Sequence, residues 1–379
     1  MDVTQPPRTR VLFVIYGLAA AGPERRVLDF ARSFPDRPEP LDVHICVVGD
    51  DMTLFEEFRQ TGAGMLCVPM RRPYTDWRGL HTVFDYIEQH DIRVLNSFDL
   101  KTLLVCAAAK VRYGSRVKLV HHLISLWEDV PAPHRAILRA AMRCADQILC
   151  NGHAVKAHLI GDRRLAAPVS VIPNGVDVDH FQPMPEARAA ERARHGWTGD
   201  HFVLGTVGNV RPVKNYPFLL RAMARLVPEC PDARLLCVGG GAQLEDMRAL
   251  ARSLGIETQV VFTGLAKDVR PYLAAMDAFA LCSTQEGNPN VVLQAMATAV
   301  PVVSVRVGEV PCVIQDGTSG LLVDRGDESA FVTALMTLAA DRSLCQSMGA
   351  AGRRRVTDLY SSARMIAGYA ALMQQAAAA

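Results

Sequence analysis

The chain has 379 residues, half of them hydrophobic and 21% charged, a length that exceeds one ordinary core and predicts two α/β domains. Its formal net charge is +2, and residues 1–180 carry 22 Lys and Arg against 21 Asp and Glu, leaving 19 and 18 for the remainder. This even balance argues against a protein built to hold a polyanion, so nucleic acid is not the expected partner.

In chain order, short apolar runs alternate with longer helix-like stretches. Val11–Tyr16, Val43–Val48, Met65–Val68, Arg93–Asn96, Val117–Val120 and Gln147–Cys150 read as strands. Most lack period-two alternation, as expected of parallel strands covered on both faces. The helical segments between them include Glu24–Phe34, Trp77–His90, Lys101–Tyr113 and Ala132–Arg143. From about residue 174 to 200 the pattern lapses into a stretch rich in Pro, Gly, Asp and Arg with no sustained apolar face, which reads as an interdomain connection. The alternation then restarts with strands at Phe202–Val207, Ala233–Val238, Gln259–Phe262, Ala278–Cys282, Val302–Val305 and Leu321–Val323. Tyr216–Leu226, Leu244–Leu254 and Val291–Ala299 are the helices expected among them, and the tail from Asp327 reads as almost entirely helix. The predicted class is α/β, with two doubly wound, Rossmann-like domains facing a cleft. The expected divisions are 1–180, 181–358 and a closing helix at 359–379 that returns to the first domain.

The ten cysteines form no C-x-x-C pair, and Cys46, Cys150, Cys237 and Cys282 sit inside apolar runs, as buried reduced thiols would. The opening MDVTQPPRTR lacks a signal peptide's apolar stretch, and no run approaches the roughly 20 apolar residues of a membrane span. The expected location is cytoplasmic, with the inner membrane face open as a place of contact. Arg71, Arg72 and Arg78 near Tyr74 and Trp77 are the residues that would touch anionic lipid, or form an ordinary solvated loop.

Four places carry chemistry. In TVGNVRPVK, a strand ends at Val207 and Gly208 lets the chain turn beside a bulky ligand. Asn209, Arg211 and Lys214 follow before the next helix, and two cations at a helix start suit a diphosphate. In STQEGNPNVVLQAMA, Glu286 falls in the loop after a buried strand, Asn288 and Asn290 punctuate it, and a helix opens near Val291. Free loop amides there suit phosphate or sugar oxygens, and the Gln294 amide, one turn on, can bond a ribose hydroxyl. After the first strand, Gly17 opens a run of small residues that is not a dinucleotide fingerprint. Finally, His121-His122 follows the Val117–Val120 strand, where an imidazole can serve a substrate hydroxyl or simply be structural.

The order and spacing of these segments resemble the large retaining glycosyltransferase family known as glycosyl transferases group 1, of GT-B fold, which includes sucrose synthase-like enzymes and bacterial mannosyl- and glucosyltransferases. GPERRVLDFARSF, VIPNGVDVDHFQP, TVGNVRPVKN, VVFTGLAKDV and the long STQEGNPN…GTSGLLV stretch follow in family order over essentially the whole chain. The resemblance implies that Glu286, first member of a Glu-x7-Glu motif, contacts the donor sugar, and that Gln294 replaces the second Glu at the nucleotide ribose. Lys214 matches the phosphate lysine, while Asn209 stands where an arginine is usual and Arg211 takes over its task. Asn290 and Val291 match positions whose backbone meets the donor, and His122 matches the acceptor-side histidine better than His121.

The implied reaction is metal-independent transfer, with retention, from a nucleotide sugar to a sugar, lipid-linked or small-molecule hydroxyl. UDP is preferred as the nucleotide on family frequency, no metal or other cofactor is called for, and polysaccharide, glycolipid or secondary-metabolite assembly is the expected setting. A nucleotide-sugar epimerase of the same fold and a non-catalytic nucleotide-sugar-binding partner subunit remain open, the latter because of Asn209 and Gln294.

Overall fold

The computed structural model describes residues 8–19, 22–34, 41–70, 76–123, 132–160 and 167–378. The chain divides into two compact units, Met1–Pro173 with Met365–Ala379, and Asn174–Arg364.

The first unit holds seven parallel strands: β1 (Thr9–Ile15), β2 (Leu41–Val47), β3 (Gly64–Cys67), β4 (Val94–Ser97), β5 (Lys118–Leu123), β6 (Gln147–Cys150) and β7 (Val169–Val171). Their order across the sheet is β3-β2-β1-β4-β5-β6-β7. The helices between them are α1 (Gly22–Ser33), α2 (Phe55–Arg59), α3 (Trp77–Gln89), α4 (Leu100–Tyr113), α5 (Ala132–Met142) and α6 (His153–Ile160). Alternate residues of β1 serve different cores. Val11, Phe13 and Ile15 pack with Val27, Phe30 and Tyr369, whereas Leu12 and Val14 pack with Leu80, Val83 and Leu103. Both faces are thus covered, which is why these strands read as continuous apolar runs. Each such buried side chain contributes about 1.5–3 kcal/mol of transfer free energy.

The second unit opens with α7 (Pro185–Arg194) and carries six parallel strands: β8 (Phe202–Val207), β9 (Ala233–Val238), β10 (Val260–Gly264), β11 (Ala278–Leu281), β12 (Val302–Val305) and β13 (Gly320–Val323). The order β10-β9-β8-β11-β12-β13 reverses direction at β8, the arrangement of doubly wound sheets. Its helices are α8 (Tyr216–Leu226), α9 (Leu244–Ser253), α10 (Arg270–Ala275), α11 (Asn290–Ala297), α12 (Val310–Val313), α13 (Glu328–Ala340) and α14 (Arg342–Leu359). The last helix, α15 (Ser362–Ala378), belongs from Met365 onward to the first unit.

The stretch expected to be a plain connection contains α7, and its attachment is polar. Arg188 and Arg192 donate to opposite oxygens of Asp277 at 2.5 and 3.0 Å, and Arg192 also donates to the carbonyls of Ala275, Thr198 and His201. Asp277 in turn accepts from the Val203 N–H at 2.7 Å, tying the helix to the start of β8. Burial lowers the Arg192 guanidinium pKa and Asp277 opposes that shift. A helix held by guanidinium groups has no apolar stripe for periodicity to find.

Candidate active site

The second unit brings several of the expected residues together. After β8 the backbone turns through Gly208, whose N–H donates to Val238 and whose carbonyl accepts from the Tyr216 hydroxyl at 2.8 Å. Burial pushes the Tyr216 phenol up, so it remains a neutral donor. Gly239, at φ +145°, leaves room for this turn: a Cβ there would lie 2.0 Å from the Gly208 carbonyl oxygen. A 3₁₀ turn at Pro212–Lys214 then hands over to Asn215 in the left-handed region at φ +53°, and α8 begins. Asn209 and Arg211 stand exposed on this loop.

Lys214 Nζ donates to Glu286 Oε1 at 2.6 Å, joining the two loops, with the lysine side chain 25% and the carboxylate 12% exposed. The buried Ser283 hydroxyl also donates to Oε1 at 2.6 Å. Both bonds land on one oxygen, which orients the carboxylate while leaving Oε2 outside that pair of contacts. Ser283 was not singled out from sequence. The only signal was its place three residues before Glu286, at the end of a buried strand.

The loop from Ser283 to Pro289 is pinned on three sides. The Thr284 N–H donates to Val213 at 2.8 Å, and Glu309 N–H donates to Gly287 at 2.9 Å. Gly308, at φ +52°, passes so near that a Cβ would lie 1.9 Å from the Glu286 carbonyl oxygen. The buried Asn174 amide donates to the Asn288 carbonyl at 3.2 Å and to Asn290 Oδ1 at 2.7 Å. Helix α11 therefore begins at Asn290 behind Pro289, with no side-chain cap on its first turn. Uncapped N–H groups and the helix dipole make that end favourable for an anion. Val291 and Gln294 are both partly buried, on the first two turns of this helix.

Two of the expected residues lie in the first unit. Gly17 is buried, and the next N–H, of Leu18, donates to Asp51 at 2.7 Å. The histidines, expected just beyond a strand ending at Val120, lie inside it, because β5 continues to Leu123. Each is 1% exposed. His121 Nδ1 lies 3.0 Å from the Ser97 hydroxyl, while His122 Nε2 meets Asn96 Oδ1 at 2.8 Å between the rings of Phe98 and Tyr369. The carbonyl oxygen of Asn96 accepts, so Nε2 carries the His122 proton, and the buried Nδ1 has no partner among the described residues. Burial drives the His122 pKa well below 6.5, with the Arg26 charge adding to it, so the imidazole is neutral at pH 7. Of the suggested lipid-contacting residues, Arg71, Arg72 and Tyr74 lie outside the described residues, and Trp77 is 71% exposed.

Two doubly wound sheets are the architecture of the GT-B class, and the second carries a cation–carboxylate pair beside an uncapped helix start. The structure of Anabaena HepE in complex with UDP matches with a TM-score of 0.85 over 97% of this chain and all of that one, at 20% identity. Residues 201–341 match the family described as glycosyl transferases group 1, and residues 20–180 match glycosyltransferase family 4. A GDP-mannose-dependent alpha-(1-6)-phosphatidylinositol monomannoside mannosyltransferase of Mycolicibacterium smegmatis is 34% identical over 285 residues, 70% of this chain and 74% of that protein. Its Mycobacterium tuberculosis counterpart is 32% identical over 282 residues, 72% and 73% of the two chains. The chain belongs to the glycosyl transferases group 1 family of GT-B glycosyltransferases.

Proposed function

We propose that this glycosyltransferase transfers a hexose, with retention at the anomeric carbon and without a metal, from a nucleoside diphosphate sugar to an acceptor hydroxyl. The observation that carries the reading is the Lys214–Glu286 pair beside the start of α11. A diphosphate arriving there competes with Glu286 for Lys214, and Arg211 and the amides of Asn290 and Val291 add further positive potential. As the sugar–phosphate bond breaks, negative charge grows on the leaving diphosphate, where these groups stabilise it. The acceptor oxygen then adds from the face the diphosphate leaves, and its proton passes to that diphosphate. Glu286 holds sugar hydroxyls, and Gln294 accepts from a ribose hydroxyl without the extra strength a carboxylate would give. The neutral, buried imidazole of His122 suits positioning on the acceptor side rather than proton exchange at pH 7.

Sequence alone put UDP ahead of GDP. The two mannosyltransferases are named for GDP-mannose and span more than two-thirds of their length with this chain, so GDP-mannose is the first donor to test. Both are also named for a lipid-borne acceptor, which favours a lipid-linked acceptor in glycolipid or polysaccharide assembly at the inner membrane face. The test is transfer from GDP-mannose and UDP-glucose to a panel of glycolipid acceptors, with the product anomer assigned by proton NMR. An α-linked product from one α-linked donor supports the reading. An inverted product contradicts the mechanism. Conversion of donor to another sugar nucleotide without acceptor would instead make the chain an epimerase, and tight binding with no turnover would make it a binding subunit.

A further inference from the structure

Asn174, the first residue of the second unit, is only 5% exposed, and both donors of its side chain go to one loop. Its Nδ2 donates to the Asn288 carbonyl oxygen at 3.2 Å and to Asn290 Oδ1 at 2.7 Å. Asn174 Oδ1 is buried and has no partner among the described residues. Buried polar atoms are nearly always satisfied, so the residue is placed for what its amino group holds.

These two bonds fix the orientation of two amides. A backbone carbonyl only accepts, so the end of Asn174 that meets Asn288 is the amino group. The same amino group meets Asn290, so the end of Asn290 turned toward it is the oxygen. Asn290 Nδ2 therefore faces away from Asn174, on a residue that is exposed. Asn290 is also the first residue of α11, behind Pro289, whose ring has no oxygen with which to cap the helix. An Asn side chain in such a place readily bonds neighbouring backbone N–H groups. Asn174 keeps the Asn290 oxygen out of that competition, and no side chain caps the first turn.

We propose that Asn174 is a positioning residue for the sugar donor: it turns the Asn290 amide so that Nδ2 meets an oxygen of the diphosphate while the start of α11 stays open. The inference rests on the nucleoside diphosphate site proposed above and deepens it. It adds an aimed, neutral hydrogen-bond donor to the cations Lys214 and Arg211. Asn174→Asp keeps the shape of the side chain but removes both donors. A carboxylate there would oppose the Asn288 carbonyl, which the backbone holds, and Asn290, which can rotate. Rotation would bring the Asn290 amino group inward and set its oxygen against the diphosphate.

The experiment measures GDP and UDP affinity of the full chain by calorimetry, with melting temperatures alongside. The variants are Asn290→Ala, Asn174→Ala, Asn174→Asp and the double variant Asn174→Ala with Asn290→Ala. Asn290→Ala should weaken the diphosphate that binds the parent about tenfold, through one lost hydrogen bond to a charged group. Asn174→Ala should weaken it by roughly three- to tenfold, and Asn174→Asp by more. In the Asn290→Ala background, Asn174→Ala should weaken binding no further, even where it lowers the melting temperature, because both residues act through one group. A second readout uses the unaltered protein and serves even if Asn174→Ala does not fold. The chain has seven asparagines, and with their side-chain amides labelled with 15N, the diphosphate should move the NMR signals that Asn290→Ala removes. Parental affinity in Asn174→Ala, equal losses in both backgrounds, or an Asn290 amide signal unmoved by bound diphosphate would overturn the proposal and leave the donor site standing. Failure of either diphosphate to bind the parent would sink the donor reading, and this inference with it.

Discussion

Glu286 accepts two hydrogen bonds on one oxygen, from Lys214 and Ser283, and these bonds have different consequences. The lysine bond is an ion pair that a diphosphate can divide. The serine bond is buried and independent of the cation, so it can still orient the carboxylate once the ion pair divides. Ser283→Ala should therefore raise the donor KM and lower kcat/KM roughly tenfold, the value of a hydrogen bond to a charged group. Ser283→Thr, which keeps the hydroxyl, should recover most of that loss, and a packing role alone would not give this rescue. Steady-state kinetics on the three proteins, with melting temperatures alongside, check it. Glu286, Lys214, Asn288 and Asn290 were legible because each lies in a turn where a strand ends and a helix begins. Ser283 and Asn174 were not, since a buried serine and a buried asparagine carry no pattern until the groups they bond are placed.

At the scale of elements, the apolar runs of β1, β8 and β11 announced themselves, and the pieces held by polar contacts did not. Helix α7 is the clearest case, because Arg188, Arg192 and Asp277 do the work that an apolar stripe does elsewhere. Asp277 is 13% exposed in its side chain and Arg192 only 6%, so removing the carboxylate strands a buried cation. Asp277→Ala is expected to cost roughly 3–5 kcal/mol. Urea unfolding of the second unit, followed by circular dichroism, checks this, and a loss below about 1 kcal/mol would mean that α7 is held by other contacts. The end of β5 was misplaced for a related reason. His121 and His122 look like polar punctuation, yet Ser97 and Asn96 on the neighbouring strand each bond one of their ring nitrogens inside the sheet. Strand β7, only three residues long, was too short to separate from the loop around it.

For the whole molecule, the alternation of strand and helix was enough to give two doubly wound sheets, while strand order and register came only from the three-dimensional pairing. The buried histidines make stability depend on pH. Burial lowers the His121 pKa from 6.5 to about 4, and those of His122 and His44 move in the same direction. The unfolded chain therefore binds more protons below pH 6.5, and stability present above that value is lost as pH falls toward 4. His121 alone accounts for up to about 3 kcal/mol. Unfolding midpoints between pH 7.5 and 4 should fall, and the slope should flatten in His121→Gln.

The nucleoside diphosphate site proposed for the second unit centres on Lys214. Thermal unfolding of the parent and of Lys214→Ala, each with GDP, UDP and ADP, tests it most directly. A diphosphate at about 100 times its Kd adds roughly 2.7 kcal/mol to the form that binds it. One of the three is expected to stabilise the parent clearly, with GDP tested first, and Lys214→Ala to lose the effect while folding normally. No stabilisation of the parent by any of them, or the same stabilisation in Lys214→Ala, would contradict it.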